Sequence, residues 1–105
     1  MKAQLTKAQL TYIESEIVKP LKKANAEVYL FGSRSTGKAN IFSDIDLLVR
    51  TSHYEDARKI LSEITEKVQN GNFELKIDIV LEEDLAHEYK EKIYQEMILL
   101  TEIPH

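Results

Sequence analysis

Two short runs of this sequence alternate apolar and polar residues, and both carry aspartate on the polar row. In Ser43–Arg50, "SDIDLLVR", Ile45, Leu47 and Val49 fall on one side, with Asp44, Asp46, Leu48 and Arg50 on the other. In Phe73–Leu81, "FELKIDIVL", the apolar row is Phe73, Leu75, Ile77, Ile79 and Leu81, and the other row is Glu74, Lys76, Asp78 and Val80. Strand side chains point alternately to two faces, so each run predicts a strand with one face on a core. A third apolar run, "EVYLF" from Glu27 to Phe31, leads into Gly32 and predicts another strand.

Helical patterns separate these strands. Thr6 and Gln9 have capping-box spacing, with Leu5 and Leu10 placed as a hydrophobic staple. Leu10, Ile13, Ile17 and Leu21 then form one apolar stripe, which Pro20 is expected to kink or to restart as a second piece. A second helix is expected to open on a Ser52–Glu55 capping box, to bury Tyr54, Ala57, Ile60, Leu61, Ile64 and Val68, and to stop near Gly71. A third is expected after Asp84 as cap, with Leu85, Tyr89, Ile93, Met97 and Leu100 aligned. The order is α-β-turn-β-α-β-α. The simplest architecture is α+β: a small mixed sheet with helices packed on its apolar face. The helix between the second and third strands is a crossover if those strands are parallel.

At 105 residues, 43% hydrophobic and 30% charged, one globular domain spanning residues 1–105 with a modest core is expected. The absence of cysteine removes any disulfide or thiolate zinc site and fits a reducing compartment. The opening residues form no apolar signal region, and no apolar run is long enough to span a membrane; a cytoplasmic protein is expected. A net charge of −4 argues against a general nucleic-acid coat, so no direct nucleic-acid binding is expected.

The segment "GSRSTGKA" nearly spells a phosphate-binding P-loop, but Ala39 stands where the magnesium-binding hydroxyl belongs. Too few residues separate Lys38 from the Asp44 strand for the helix such a loop must open. The acidic pair offers different chemistry. Asp44 and Asp46 project from the same face of a strand, roughly 7 Å apart at Cα, and Asp78 joins them if the third strand is a neighbour. Three carboxylates on a half-buried sheet repel one another unless a cation is shared. All-oxygen ligands suit magnesium, and two ions about 4 Å apart can hold the attacking and leaving oxygens of a phosphoryl displacement. Taken singly, an Asp-x-Asp, a strand aspartate and a glycine turn have ordinary structural readings. Arg34 is either a phosphate contact or a solvated turn residue, Arg50 a triphosphate contact or a surface ion pair, and Ser43 a partner of a metal-bound aspartate or a cap on the strand entrance. His53, His87 and His105 have no ligand spacing, and Tyr12, Tyr54, Tyr89 and Tyr94 fit helical packing stripes.

The ordered set is more specific than its parts. An apolar strand, Gly32-Ser33, a spacer with Gly37, Ser43-Asp44-Ile45-Asp46-Leu47 and a later strand aspartate resembles the nucleotidyltransferase signature of the DNA polymerase β-like superfamily. The chain is most similar to the minimal nucleotidyltransferases (MNT), small single-domain members that include the MntA-like antitoxins of MNT/HEPN toxin–antitoxin pairs. The resemblance runs from the first helix to the third strand. Relatives often carry alanine at Ser35 and an acidic residue near Lys38. The resemblance implies a polymerase β-like nucleotidyltransferase fold. It implies Gly32 and Ser33 on the β- and γ-phosphates of a nucleoside triphosphate, with Arg34 and Ser43 as further nucleotide-site candidates. Asp44 and Asp46 would bind Mg2+, and Asp78 would complete one metal site and accept the proton of the attacking hydroxyl. Two Mg2+ ions would be present with nucleotide bound. The implied reaction is transfer of a nucleoside monophosphate, AMP from ATP, to a hydroxyl. The implied acceptor is a tyrosine of a HEPN-domain toxin, because the chain has no second domain to grip one. Two other readings stand beside it: a non-catalytic antitoxin that works by contact, and a small-molecule nucleotidyltransferase that builds its acceptor pocket as a homo-oligomer.

Overall fold

The computed structural model describes residues 3–71, 73 and 75–103. Glu74 of the expected third-strand run and His105 lie outside the described residues. The predicted capping box opens α1 (Lys7–Ile13): Thr6 Oγ1 accepts the Gln9 N–H at 3.1 Å, and Gln9 Oε1 accepts the Thr6 N–H at 2.9 Å. The helix continues through a π-helical stretch, Glu14–Val18, into α2 (Lys19–Leu21), with Pro20 in its first turn. Proline has no N–H to give to the preceding turn. The wider stretch absorbs this, with the Lys19 N–H reaching back to the Glu14 carbonyl. The expected stripe survives: Leu10, Ile13, Ile17 and Leu21 are all buried.

The strands are β1 (Glu27–Phe31), β2 (Ile45–Arg50), β3 (Ile77–Leu81) and a two-residue β4 (Ile98–Leu99), in the order β3-β2-β1-β4. β1 pairs antiparallel with both β2 and β4; β2 and β3 are parallel, joined through α4 (Tyr54–Gln69). The sheet is therefore mixed, as expected. Val28, Leu30, Ile45, Leu47 and Val49 share one face, where the α1–α2 stripe and α4 bury them.

Three local expectations change. β3 starts at Ile77 rather than Phe73, and Phe73 stacks on Tyr12 with ring centroids 4.3 Å apart. Ser52 and Glu55 form no capping box at α4: its cap is His53, and Thr51 Oγ1 accepts the His53 N–H while donating to the Ala24 carbonyl. Thr51 is buried and one residue closer to the strand, so it ties helix to core as Ser52 cannot. Asp84 does not cap the last helix, α5 (His87–Glu96); it sits in a 3-10 turn, Glu82–Asp84, paired with Arg58. Of the aligned α5 residues, Ile93 is buried and Tyr89 is exposed.

α5 reaches the face opposite the main core. Arg50 lies on that face, and its guanidinium sits between the Tyr29 ring (5.2 Å) and the Tyr94 ring of α5 (5.7 Å). Leu48 is fully buried on the same face, outside the main core cluster. No helix among the described residues is long and apolar enough to cross a membrane.

Candidate active site

The open half of that second face carries the predicted carboxylates. β2 alternation puts Asp46 in line with Leu48 and Arg50, and Asp44 precedes the strand. The parallel register makes Asp46 and Asp78 direct cross-strand partners, and the antiparallel register sets Phe31 against Asp46 from the other side. Gly32, the residue after Phe31, therefore meets Asp46. The fit is close: a Cβ on Gly32 would lie 2.5 Å from Asp46 Oδ2. Gly32 also has φ +77°, a left-handed conformation that L side chains disfavour.

Gly32 opens α3 (Ser33–Thr36), a single helical turn closed by Gly37 at φ 79°. Lys38 N–H bonds the Ser33 carbonyl at 3.0 Å, and Ser35 Oγ donates to the Gly32 carbonyl at 2.8 Å. This turn precedes Lys38, where a P-loop helix would follow it. Ser33 stands at the turn's start, beside Gly32 and the acidic edge.

Arg34 is not the solvated turn residue that was one of its two expected readings. It is 5% exposed. Its Nε donates to the Ser43 carbonyl (3.0 Å), Nη1 to the Gln4 carbonyl (2.7 Å), and Nη2 to the Asn40 and Ile41 carbonyls (3.5 and 3.4 Å). It is a buried brace for the loop between Gly37 and Asp44, and these bonds turn its guanidinium toward carbonyls. Gln4 adds a second tie, accepting the Ala39 N–H at 2.7 Å and donating to the Ala39 carbonyl at 3.2 Å. Ser43 Oγ accepts the Asn40 N–H at 3.0 Å, so its hydroxyl closes the loop.

Asp44 is exposed and Asp46 half-buried. Burial pushes the Asp46 carboxyl above its ordinary pKa, and the neighbouring Asp78 and Asp44 charges push it further; Lys76 opposes them. Lys76 Nζ lies 3.5 Å from Asp78 Oδ1. The sequence places this lysine in the polar row two residues before Asp78, with no further signal of its role. The donors are hard oxygens at a glycine cradle, which is the chemistry a divalent cation such as Mg2+ takes. The side chains stand apart: among the described residues no three acidic or histidine groups gather closely enough to hold a metal ion.

Arg50 belongs to a different structure. It forms a two-pronged pair with Glu82, with closest contact 2.7 Å. Gln4 was missed, since nothing in an N-terminal glutamine marks it as a loop tie.

Comparison with known proteins adds a family. The family model for the nucleotidyltransferase domain matches residues 14–100. No curated protein matches the sequence. Among solved structures, a candidate minimal nucleotidyltransferase is 24% identical with TM-score 0.60, over 91% of this chain and 97% of its own. A toxin–antitoxin solved with AMP-PNP is 20% identical with TM-score 0.56, over 83% and 71%. A complex of the tri-AMPylated Shewanella oneidensis HEPN toxin with its MNT antitoxin is 18% identical with TM-score 0.53, over 87% and 71%. At these identities the structural likeness establishes a shared fold.

Proposed function

The chain belongs to the nucleotidyltransferase domain family, and from that premise we propose that it transfers AMP from ATP to a hydroxyl of a partner protein, acting as an antitoxin on a tyrosine of a HEPN-domain toxin. The observation that carries the chemistry is the register of Asp46 against Asp78 beside the Gly32 cradle. The partner is argued from the similar folds: one was solved as a toxin–antitoxin with AMP-PNP, another as an MNT antitoxin with an AMPylated HEPN toxin. The same reading takes residues 1–105 as one minimal catalytic domain acting in the cytoplasm.

Nucleotidyltransferase domains generally work with divalent metals. In this chain Asp44, Asp46 and Asp78 would hold Mg2+, two ions with nucleotide bound, which neutralises phosphate charge and supports an in-line displacement. Gly32 and Ser33 present backbone to the β- and γ-phosphates, and a side chain at Gly32 would displace the Asp46 carboxylate beside them. The acceptor hydroxyl gives its proton to Asp78 as its oxygen bonds to the α-phosphorus. The bond from that phosphorus to pyrophosphate breaks. Arg34, with its bonds to the loop, shapes the site from behind.

A contact-only antitoxin is the second reading, favoured by carboxylates that stand apart. One experiment separates the two. ATP labelled in its α-phosphate is added with Mg2+ and the protein to native-host lysate, beside an Asp44→Asn control. A protein band labelled by wild type alone is the expected result. Equal or absent labelling overturns the protein-acceptor reading and leaves inhibition by contact or transfer to a small molecule.

A further inference from the structure

The loop between Gly37 and Asp44 ends in an apolar pair. Ile41 is 77% exposed and Phe42 is 80% exposed. The other exposed large hydrophobics among the described residues are tyrosines, Tyr89 and Tyr94, each with a hydroxyl. Scattered exposed apolar residues are normal on any surface. Two adjacent ones on a braced loop are a different case. The Arg34 guanidinium holds the carbonyls of Asn40, Ile41 and Ser43. Asn40 Oδ1 accepts the Phe42 N–H at 2.8 Å, and the Ser43 N–H bonds the Asn40 carbonyl at 3.1 Å. The backbone under the pair is thus tied down by hydrogen bonds, and the backbone share of the ordering cost of docking is met beforehand.

We propose that Ile41 and Phe42 form a rigid docking knob that seats in an apolar pocket of the acceptor protein and brings its hydroxyl to the Asp44, Asp46 and Asp78 edge. This rests on the transferase reading above and names how that site finds its acceptor. Phe42 is two residues from Asp44, so whatever holds the knob lies against the acidic edge. The acidic edge is open. A 460 Å³ cavity touching Asp78 lies along β3 and α4, and its lining includes neither Asp44 nor Asp46. An acceptor that supplies its own surface suits such an edge. A buried aromatic anchor in a pocket is the usual centre of a protein contact. A bilayer fits less well, because the chain carries a net charge of −4 and an exposed Asp44 beside the knob, which anionic headgroups repel. A second copy fits less well too: two side chains fall far short of the roughly 800 Å² per partner that a stable interface needs, while a transient enzyme–acceptor encounter tolerates less.

The test is an Ile41→Ser/Phe42→Ser double variant, checked for folding by circular dichroism. Both proteins are assayed for Mg-ATP binding, for labelling of native-host lysate proteins from α-labelled ATP, and for sedimentation alone. The expected result is equal ATP binding with labelling of the acceptor band reduced at least tenfold in the variant. Equal labelling by both proteins overturns the knob and leaves the transferase reading standing. No labelling by either, with ATP bound by both, overturns the protein-acceptor reading and the knob with it. A wild-type dimer that becomes monomeric in the variant assigns the pair to self-association and also overturns the proposal.

Discussion

Gly32 is the residue on which strand and site depend together. Its φ of +77° with ψ −157° lies in a region essentially confined to glycine and costs an L residue on the order of 1–3 kcal/mol. A Cβ there would also run into the Asp46 carboxylate at 2.5 Å. Gly32→Ala is expected to lose at least about 1 kcal/mol of stability by urea unfolding, and to lose Mg-ATP binding by calorimetry. Retained binding would place the phosphates elsewhere. This residue was legible in the sequence only through the ordered set, since alone a glycine after an apolar strand reads as a plain turn. Arg34 was not. Its sequence neighbours are turn residues, which suggest solvent, and its carbonyl partners lie at Gln4, Asn40, Ile41 and Ser43. A brace made of backbone carbonyls leaves no trace in residue type. The Ile41-Phe42 pair did leave one, an apolar step in a polar loop.

At the scale of elements, the 3-10 turn Glu82–Asp84 is held by the Arg58 pairs with Glu83 and Asp84 and by the Arg50–Glu82 pair, whose aromatic frame reaches α5. The hydrogen-bonded Arg50 guanidinium holds the Glu82 carboxyl below its ordinary pKa, against the opposing effect of burial, and Tyr94 adds a further hydrogen bond. A lowered carboxyl pKa makes a stabilising contribution that is complete above the unfolded value, about 4.3, and disappears as pH falls through the folded value. Arg50 is 38% exposed, so solvent screening keeps the contribution below about 1 kcal/mol. Urea midpoints of wild type should therefore fall relative to Glu82→Gln as pH drops from about 6 to about 3. A constant difference between the two across that range would show that the pair does not hold α5. Arg50 could be read either way from sequence, and only the parallel β2–β3 register, which brings Glu82 alongside it, decides for the ion pair. β4 was missed for a plainer reason: Ile98 and Leu99 continue the apolar pattern of the helix before them, and two residues are too few for alternation to register. The α4 cap falls at His53, one position after Ser52, because the buried Thr51 hydroxyl, tied to the Ala24 carbonyl, takes the His53 N–H, and sequence does not distinguish the Thr51 and Ser52 hydroxyls.

Across the whole molecule, one face of the sheet carries the core and the other is divided between α5 and an acidic edge. The alternating rows made the acidic edge legible, but not the covering of the rest of that face by α5, since all helices were expected on the apolar face and Leu48 is fully buried beside Arg50. The cross-strand register of Asp46 with Asp78 was conditional until the strand order was known. Their repulsion, added to the burial of Asp46, works against folding when no cation is present. Asp46→Asn should thus raise the melting temperature of the metal-free protein by a few degrees, while removing the further rise that Mg2+ gives wild type. A drop in the metal-free melting temperature would instead assign Asp46 a structural hydrogen-bonding role. The parallel pairing of β2 with β3 also sets an order in time. A parallel partner cannot be reached through a tight turn, so the whole of α4 must be laid down between them. On the ribosome Asp44 and Asp46 emerge first and wait for Asp78. A nascent chain halted before β3 holds two of the three carboxylates and cannot carry out the proposed transfer, so reactivity is withheld until β3 has been made.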